Sequence, residues 1–436
     1  MNTTRPRNHV IDVARALSVL VVVVFHTLLY RIRIVDGHVT LIPWAAPHAL
    51  YPLTWVLMIM PLFFVAGGFG NTLTVDRMRR EGTSLGHYLA GRGRRLVGPL
   101  SVFVTFCAVL ATGAAWFGWL DQASTLSRAL MQLLWFITVY LVIVAFAPWL
   151  VRLHDRFGVW PMLALAAAAF AVDLWSLQVG RPELRNLNMI LVWPLVHQFG
   201  IAYQRGWWRR GPAWAAPAAI AVGVGSICLM VFALGYPPTS VGFADLPFAN
   251  LQPPTLAMAA LALAQCGVLA LVERAGWLAT ISPRAERAIA VLNTVMVSVY
   301  LWHIPCIVVA GVGLLLLTAL VPILAPVLLS PAVLALCALL VVAAVIPLLG
   351  RLELRMIPPL GPAQDTAVAI MAYGTLVLGT LLVWQTGTVI HPARPGSSLG
   401  VILIWLGSWL MGYAADRTQA AHRTGARPSA AEGKTT

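Results

Sequence analysis

Charged side chains are scarce in this 436-residue chain. Asp, Glu, Lys and Arg make up 10% of its residues, whereas hydrophobic residues make up 60%. Soluble domains carry about 25% charged residues, and a chain with so few could not cover a large apolar core with a polar surface. The composition therefore excludes a soluble globular protein and favours a polytopic membrane protein.

Cysteine is also scarce, and the five cysteines all fall in apolar stretches. Because their number is odd and no pair has the spacing of metal ligands, we expect neither a disulfide framework nor a metal site. We also expect no permanently bound cofactor, no internal repeat and no appended soluble domain.

Long apolar stretches fill most of the chain, and each is close to the ~20 residues that a helix needs to cross a membrane. We therefore expect an all-α fold, a polytopic transmembrane helix bundle of about 12 spans, with a range of about 10–12. The predicted spans are 10–30, 51–73, 96–118, 130–150, 158–177, 187–204, 213–235, 255–272, 290–312, 330–349, 366–386 and 399–415. The polar residues 416–436 are expected to form a disordered cytoplasmic tail.

The basic residues predict the orientation of these spans. If the N-terminus is inside, the inner segments hold 23 of the 29 Lys and Arg residues and the outer segments hold 6. Cytoplasmic loops carry such an excess, so we expect both termini to be cytoplasmic. The net charge of +14 is then mostly an orientation signal, and no nucleic-acid partner is expected.

The first span, "DVARALSVLVVVVFH", holds ionisable residues at both ends. Helical geometry places Asp12, Arg15 and His26 on one face, with Arg15 and His26 ~16 Å apart along the axis. In an isolated helix these could simply be interfacial anchors. A polar stripe deep in a span, however, is expected to face a protein interior or a wet cavity, which favours a function.

Four further motifs follow: "PLFFVAGGF" at 61–69, "RGRR" at 92–95, "LWFITVYL" at 134–141 and "VSVYLWHIP" at 297–305. Together with the Arg15-to-His26 spacing, they resemble the integral membrane acyltransferases of family 3, which commonly O-acylate bacterial glycans and lipids. Gly67 stands where the family often has Ser. The chain also has more predicted spans than the usual family core, so the last two or three are an addition or a miscount.

The resemblance implies catalytic and donor-binding residues. His26 would be a general base that accepts a proton from the acceptor hydroxyl. His303 would be a second catalytic or acceptor-binding imidazole, although a structural histidine fits equally well. The guanidinium groups of Arg15, Arg92 and Arg95 would bind the phosphates of acyl-CoA, although a cytoplasmic loop is also rich in arginine for topology alone. Apart from the resemblance, Asp36 could orient or tune His26 across the outer loop, although an acid there could equally be solvated.

Aromatic and glycine residues of the same motifs are the predicted lining of a pocket. Ordinary helix packing explains the glycines as well, and interfacial aromatic belts explain the aromatic residues. The predicted lining residues are Phe63, Phe64, Gly67, Gly68, Trp135, Tyr140, Tyr300 and Trp302.

Residues 1–415 are thus predicted to form a membrane acyltransferase domain in the plasma membrane, surrounded by lipid. Its expected partners are an acyl-CoA donor, as co-substrate, and a hydroxyl of an envelope glycan, lipid or related acceptor. Two alternatives remain: a polytopic secondary transporter, and a flippase or scaffold for envelope-glycan assembly. Activity in detergent without a gradient would exclude a transporter, and tolerance of His26→Ala would favour a flippase or scaffold.

Overall fold

The computed structural model describes residues 8–35, 38–43, 47–243, 246 and 248–416. Helices form most of this part of the chain. The α-helices are α1 His9–Leu28, α2 Tyr51–Val56, α3 Met60–Glu81, α4 Leu85–Ala114, α5 Leu120–Met131, α6 Leu134–Phe157, α7 Trp160–Val179, α8 Val192–Arg205, α9 Ala215–Ala233, α10 Leu256–Arg274, α11 Pro283–Leu320, α12 Ala325–Leu328, α13 Pro331–Met356, α14 Thr366–Thr386 and α15 Pro395–Ala415. Shorter helical turns are the 3-10 segments His48–Leu50, Pro182–Ile190 and Pro322–Leu324 and the π-helical turn Ala115–Trp119.

Within the described chain, 11 helical segments are long and apolar enough to cross a membrane. This confirms the predicted polytopic helical bundle, with a number of spans inside the expected range. The predicted span 187–204 is the exception, because α8 has 14 residues and is only ~21 Å long, shorter than a ~30 Å hydrocarbon core. Two short strands, β1 at Tyr30–Val35 and β2 at His38–Pro43, form a small antiparallel hairpin beside the helices.

Side-chain caps explain where several helices begin. The Asn8 side chain accepts a hydrogen bond from the Ile11 amide at the start of α1, and the Ser84 hydroxyl caps α4 in the same way. Because α4 begins at Leu85, both Arg92 and Arg95 lie on a helix. The segment at 92–95, predicted to lie in a cytoplasmic connection, is thus helical, and its side of the membrane stays a prediction.

The chain divides into two compact units. The first unit contains the described residues up to Val75 together with Phe146–Pro347, and the second contains Asp76–Ala145 and the described residues from Leu348 onward. In the first unit, α1 packs on α11. The Asn293 side chain of α11 donates a hydrogen bond of 2.9 Å to the Asp12 carbonyl near the start of α1.

Close helix contact and buried polar bonds hold the rest of the first unit together. A Cβ on Gly68 of α3 would collide with the His197 carbonyl oxygen of α8, which is the close approach that small residues allow between membrane helices. The buried carboxylate of Asp173 accepts hydrogen bonds from the Asn188 side chain, the Tyr236 hydroxyl and the Leu256 amide. This fully bonded aspartate ties α7 to the start of α10.

The second unit is organised around α4. The last two long helices, α14 and α15, pack against each other and against α4. Ser101 and Ser408 share a hydrogen bond of 2.7 Å, and the Trp405 indole donates to Thr105 at 2.9 Å. At the other end of α4, the Arg94 guanidinium donates to the Pro358 carbonyl at 2.8 Å. The C-terminal hairpin, defined here as α14 and α15, is therefore bonded to α4 at Ser101 and Thr105, and the segment before the hairpin is bonded to α4 at Arg94.

Candidate functional site

Two histidines from different helices meet in the first unit. The ring centroids of His26 on α1 and His303 on α11 are 4.9 Å apart, in an edge-to-face arrangement. The Asp12–Asn293 hydrogen bond joins the same two helices nearer their N-termini, so α1 and α11 run parallel. Helix packing thus brings together the two histidines that were predicted as catalytic.

Both imidazoles are held by main-chain carbonyls of their own helices. Nδ1 of His26 is 2.8 Å from the Val22 oxygen, and Nδ1 of His303 is 2.7 Å from the Tyr300 oxygen. A carbonyl can only accept a hydrogen bond, so each Nδ1 carries a proton. In its neutral form each ring therefore has its lone pair on Nε2, where it can accept a proton or a hydrogen bond.

His303 is fully buried, and its Nε2 has no hydrogen-bond partner among the described residues. Tyr300 and Trp302 are buried beside it, and the Tyr300 ring centroid is 5.9 Å from that of His303. Pro305 lies inside α11 and has no amide proton to donate to the carbonyl four residues earlier. Nε2 of His303 is thus a buried acceptor that a bound hydroxyl could satisfy.

Two of the other residues predicted in the first unit, Phe64 and Gly68, have packing partners in the structure. Arg15 lies on α1, partly buried, and Asp36 lies outside the described residues. Phe64 is fully buried and stacks on Trp193, with ring centroids 4.6 Å apart. Phe63 and Gly68 are also buried, and Gly67 on the same helix is partly buried. The structure therefore gives Phe64 and Gly68 partners in helix packing, and their lining of a pocket stays a prediction.

Arg92 is the centre of a polar cluster in the second unit. Its guanidinium donates a hydrogen bond of 3.4 Å to the Tyr140 hydroxyl, and the side chains of Tyr88 and Tyr373 are its further electrostatic neighbours. The Tyr88 hydroxyl donates to the Val144 carbonyl at 2.9 Å. We call Arg92, Tyr88, Tyr140 and Tyr373 the arginine–tyrosine cluster. A cation with hydroxyl groups around it is suited to binding an anion.

Arg95 has a different environment from Arg92, because its side chain is exposed. Trp135 is 3% exposed, and its ring meets that of Phe136 edge to face. The structure thus places Tyr140 in contact with Arg92 and the Trp135 ring against Phe136.

Sequence reasoning missed two members of this cluster. Tyr88 precedes Arg92 by four residues, so helical spacing places the two side chains on the same face and could have identified it. Tyr373 lies 281 positions after Arg92, on a helix whose sequence carries no mark of a site. Only tertiary structure reveals it.

An open apolar groove of about 820 Å³ lies on the second unit, between the C-terminal part of α4 and the start of α15. Trp116, Trp405 and His391 are among its lining residues, and the rings of Trp116 and His391 are 4.9 Å apart. No residue predicted as catalytic or donor-binding lines this groove. Among the residues that the structure describes, no group of three His, Cys, Asp or Glu side chains could hold a metal ion.

Comparison with known families agrees with the predicted resemblance. A family model described as an acyltransferase domain, of the acyltransferase 3 type, matches residues 8–345. No curated protein and no solved structure matches the chain. The matched residues include both histidines and Arg92 but end before the C-terminal hairpin.

Proposed function

The chain belongs to the acyltransferase 3 family and has helices suited to crossing a membrane, and from this premise we propose its reaction. It moves an acyl group from cytoplasmic acyl-CoA to a hydroxyl of an envelope glycan, a lipid or a related acceptor, across the plasma membrane. The observation that carries the proposal is the pairing of His26 with His303, whose ring centroids are 4.9 Å apart.

His26 is the proposed general base. Its Nδ1–H bond to the Val22 carbonyl leaves Nε2 to take the proton of the acceptor hydroxyl as its oxygen bonds to the acyl carbonyl carbon. The carbon–sulfur bond then breaks, and coenzyme A leaves as a thiolate that takes up the proton. His303 is close enough to share in holding the acceptor hydroxyl or the proton, which supports a role for both imidazoles.

The arginine–tyrosine cluster supports donor binding by Arg92. A guanidinium can bind phosphate oxygens in bidentate fashion, and coenzyme A is rich in phosphate. Arg95 on the same helix and Arg15 on α1 are proposed to contribute further positive charge at the cytoplasmic face. This assignment requires the start of α4 to be cytoplasmic, as the distribution of basic residues predicts.

The orientation can be tested by cysteine labelling near Arg92. Ser84 is exposed but caps α4, so the exposed Glu81 is the better position for a single cysteine in a variant without the natural ones. An impermeant reagent is expected to label Glu81→Cys only after the membrane is opened. Labelling of intact cells would contradict the cytoplasmic donor site.

The reaction itself is tested by comparing the envelope glycans and lipids of cells with and without the protein by mass spectrometry. We expect one acyl mass to disappear when the protein is absent and to return with the wild-type chain, but not with His26→Gln. The matched control is His154→Gln, because His154 is a buried histidine of the same unit whose Nδ1 is bonded to Gln198. Unchanged acylation without the protein would contradict the proposal.

A further inference from the structure

The C-terminal hairpin lies beyond residues 8–345, the region that the family model matches, yet it packs on the helix that carries Arg92. Gln364, just before α14, is within hydrogen-bond distance of His87 at the start of α4, with 3.2 Å between Oε1 and Nδ1. Further along, the ring of Tyr373 lies against Gly93, where a Cβ would come within 3.0 Å of the ring. The hairpin therefore forms one wall of the arginine–tyrosine cluster.

Tyr373 differs from the other two tyrosines in what its hydroxyl contacts. The Tyr88 hydroxyl donates to the Val144 carbonyl, and the Tyr140 hydroxyl accepts from Arg92. Tyr373 is 3% exposed, and its hydroxyl has no hydrogen-bond partner in the part of the chain that the structure describes. A buried hydroxyl without a partner is unfavourable, so this position requires a separate explanation.

The neighbours of Tyr373 restrict what could bond to it. Arg92 has only donors and cannot accept its proton. The hydroxyls of Tyr88 and Tyr140 could accept it, but the Tyr373 hydroxyl forms no hydrogen bond to them or to any other described residue. A bound group is therefore needed to bring the acceptor oxygen. An acceptor that also lies against a guanidinium is best satisfied by an anion, since charge-assisted hydrogen bonds are the strong ones. A phosphate oxygen meets both requirements.

We infer that Tyr373 of the C-terminal hairpin donates a hydrogen bond to a phosphate oxygen held by Arg92, and that the phosphate belongs to the coenzyme A part of the donor. This inference rests on the proposed function. It makes the hairpin a component of the donor site, although the hairpin lies outside the matched family region.

The test is isothermal titration calorimetry, in which purified full-length protein is titrated with coenzyme A and the dissociation constant is measured. Tyr373→Phe removes only the hydroxyl, and we expect the dissociation constant to rise about 10- to 150-fold, the range for a hydrogen bond to a charged group. Tyr413→Phe is the matched control on the same hairpin, since its ring lies 6.3 Å from that of Trp409, and it should bind like the wild type. Pantetheine, which has no phosphate, should bind equally to all three proteins.

Two readouts separate ligand binding from a structural role. The melting temperature of Tyr373→Phe without coenzyme A should equal or exceed that of the wild type, and the increase caused by coenzyme A should become smaller. A lower melting temperature without ligand would mean that the hydroxyl stabilises the fold, which overturns the inference. Weaker binding of pantetheine would also overturn it, because the hydroxyl would then contact the part without phosphate.

Arg92→Ala distinguishes failure of the inference from failure of the proposed donor site. If Arg92→Ala weakens coenzyme A binding and Tyr373→Phe does not, the inference is wrong and the donor assignment stands. If neither substitution changes the dissociation constant, the proposed donor site is wrong as well.

Discussion

The histidine pair and the arginine–tyrosine cluster draw on different parts of the chain. His26 and His303 both lie inside the region matched by the family, residues 8–345, and each ring is held by a carbonyl of its own helix. Arg92 also lies in that region, but its neighbour Tyr373 does not. The comparison suggests that the proposed proton transfer is contained in the family domain, whereas the proposed donor site also uses the added hairpin.

The largest effect is expected at His26. Its replacement by Gln keeps polarity but removes the base, so the rate of acyl transfer should fall about 10²- to 10⁴-fold. The measurement is the consumption of acyl-CoA by purified protein, with envelope extract as the source of acceptor, and coenzyme A binding should stay near that of the wild type. A His26→Gln protein with the wild-type rate would exclude the base role.

A smaller decrease in the rate of acyl transfer is expected for substitution of His303, because His26 is the proposed base and His303 is proposed only to assist it. Loss of one charge-assisted hydrogen bond predicts a rate about 10- to 150-fold lower for His303→Gln. Because the rings are 4.9 Å apart, the two substitutions should be coupled, so the double variant should be hardly slower than His26→Gln. Fully additive losses would show that the two histidines act independently.

The donor side can be separated from the chemical step by Arg92→Ala. We expect KM for acyl-CoA to rise about 10- to 150-fold, because a hydrogen bond to a charged group is lost, whereas the rate at saturating donor changes less. Arg92→Lys should recover only part of the loss, since an ammonium group cannot bind a phosphate in bidentate fashion.

Two further variants, Arg95→Ala and Arg77→Ala, provide comparisons for the increase in KM expected for Arg92→Ala. Both arginines are exposed, but Arg77 pairs with Glu81 on the helix surface, at 3.5 Å, and has no proposed donor contact. Arg95→Ala should raise KM for acyl-CoA less than Arg92→Ala does, and Arg77→Ala should leave it unchanged. An equal increase in KM for all three would indicate a general effect of positive charge.

The smallest effect concerns packing in the first unit and is measured as stability. Gly68→Ala would push a methyl group against the His197 carbonyl, so the free energy of unfolding should fall by about 1–3 kcal/mol. Gly70→Ala is the matched control on the same helix, because nothing lies within 4 Å of its added Cβ. There the better helix propensity of Ala should leave the melting temperature unchanged or raise it. Equal changes at both positions would contradict close packing at Gly68.

Periodicity and charge were sufficient to predict the helical bundle, because each span is a local property of about 20 residues. The sequence also indicated His26 and His303 separately. Their contact could not be predicted, since it depends on how α1 packs on α11. The predicted span 187–204 was wrong in extent because hydropathy does not separate a buried core helix such as α8 from a spanning one.

The small hairpin of β1 and β2 has a sequence signal of its own, which the hydropathy of the spans does not include. The segment "YRIRIV", Tyr30–Val35, alternates side chains as a strand does, and an Asp-Gly dipeptide follows it at 36–37, a common hairpin sequence. Tyr373, by contrast, had no local signal at all. Its importance depends on a distant helix, and only a three-dimensional structure can supply that information.

The bond between Ser101 and Ser408 has a consequence for the synthesis of the protein. The two residues are 307 positions apart. At a translation rate of about 5–20 residues per second, Ser408 is therefore synthesised roughly 15–60 s after Ser101. During that interval Ser101 and Thr105 lack their hydrogen-bond partners in the C-terminal hairpin. A chain that stops before α14 should therefore be recognised by membrane quality-control proteases, and pulse-chase experiments should find it degraded faster than the full-length chain.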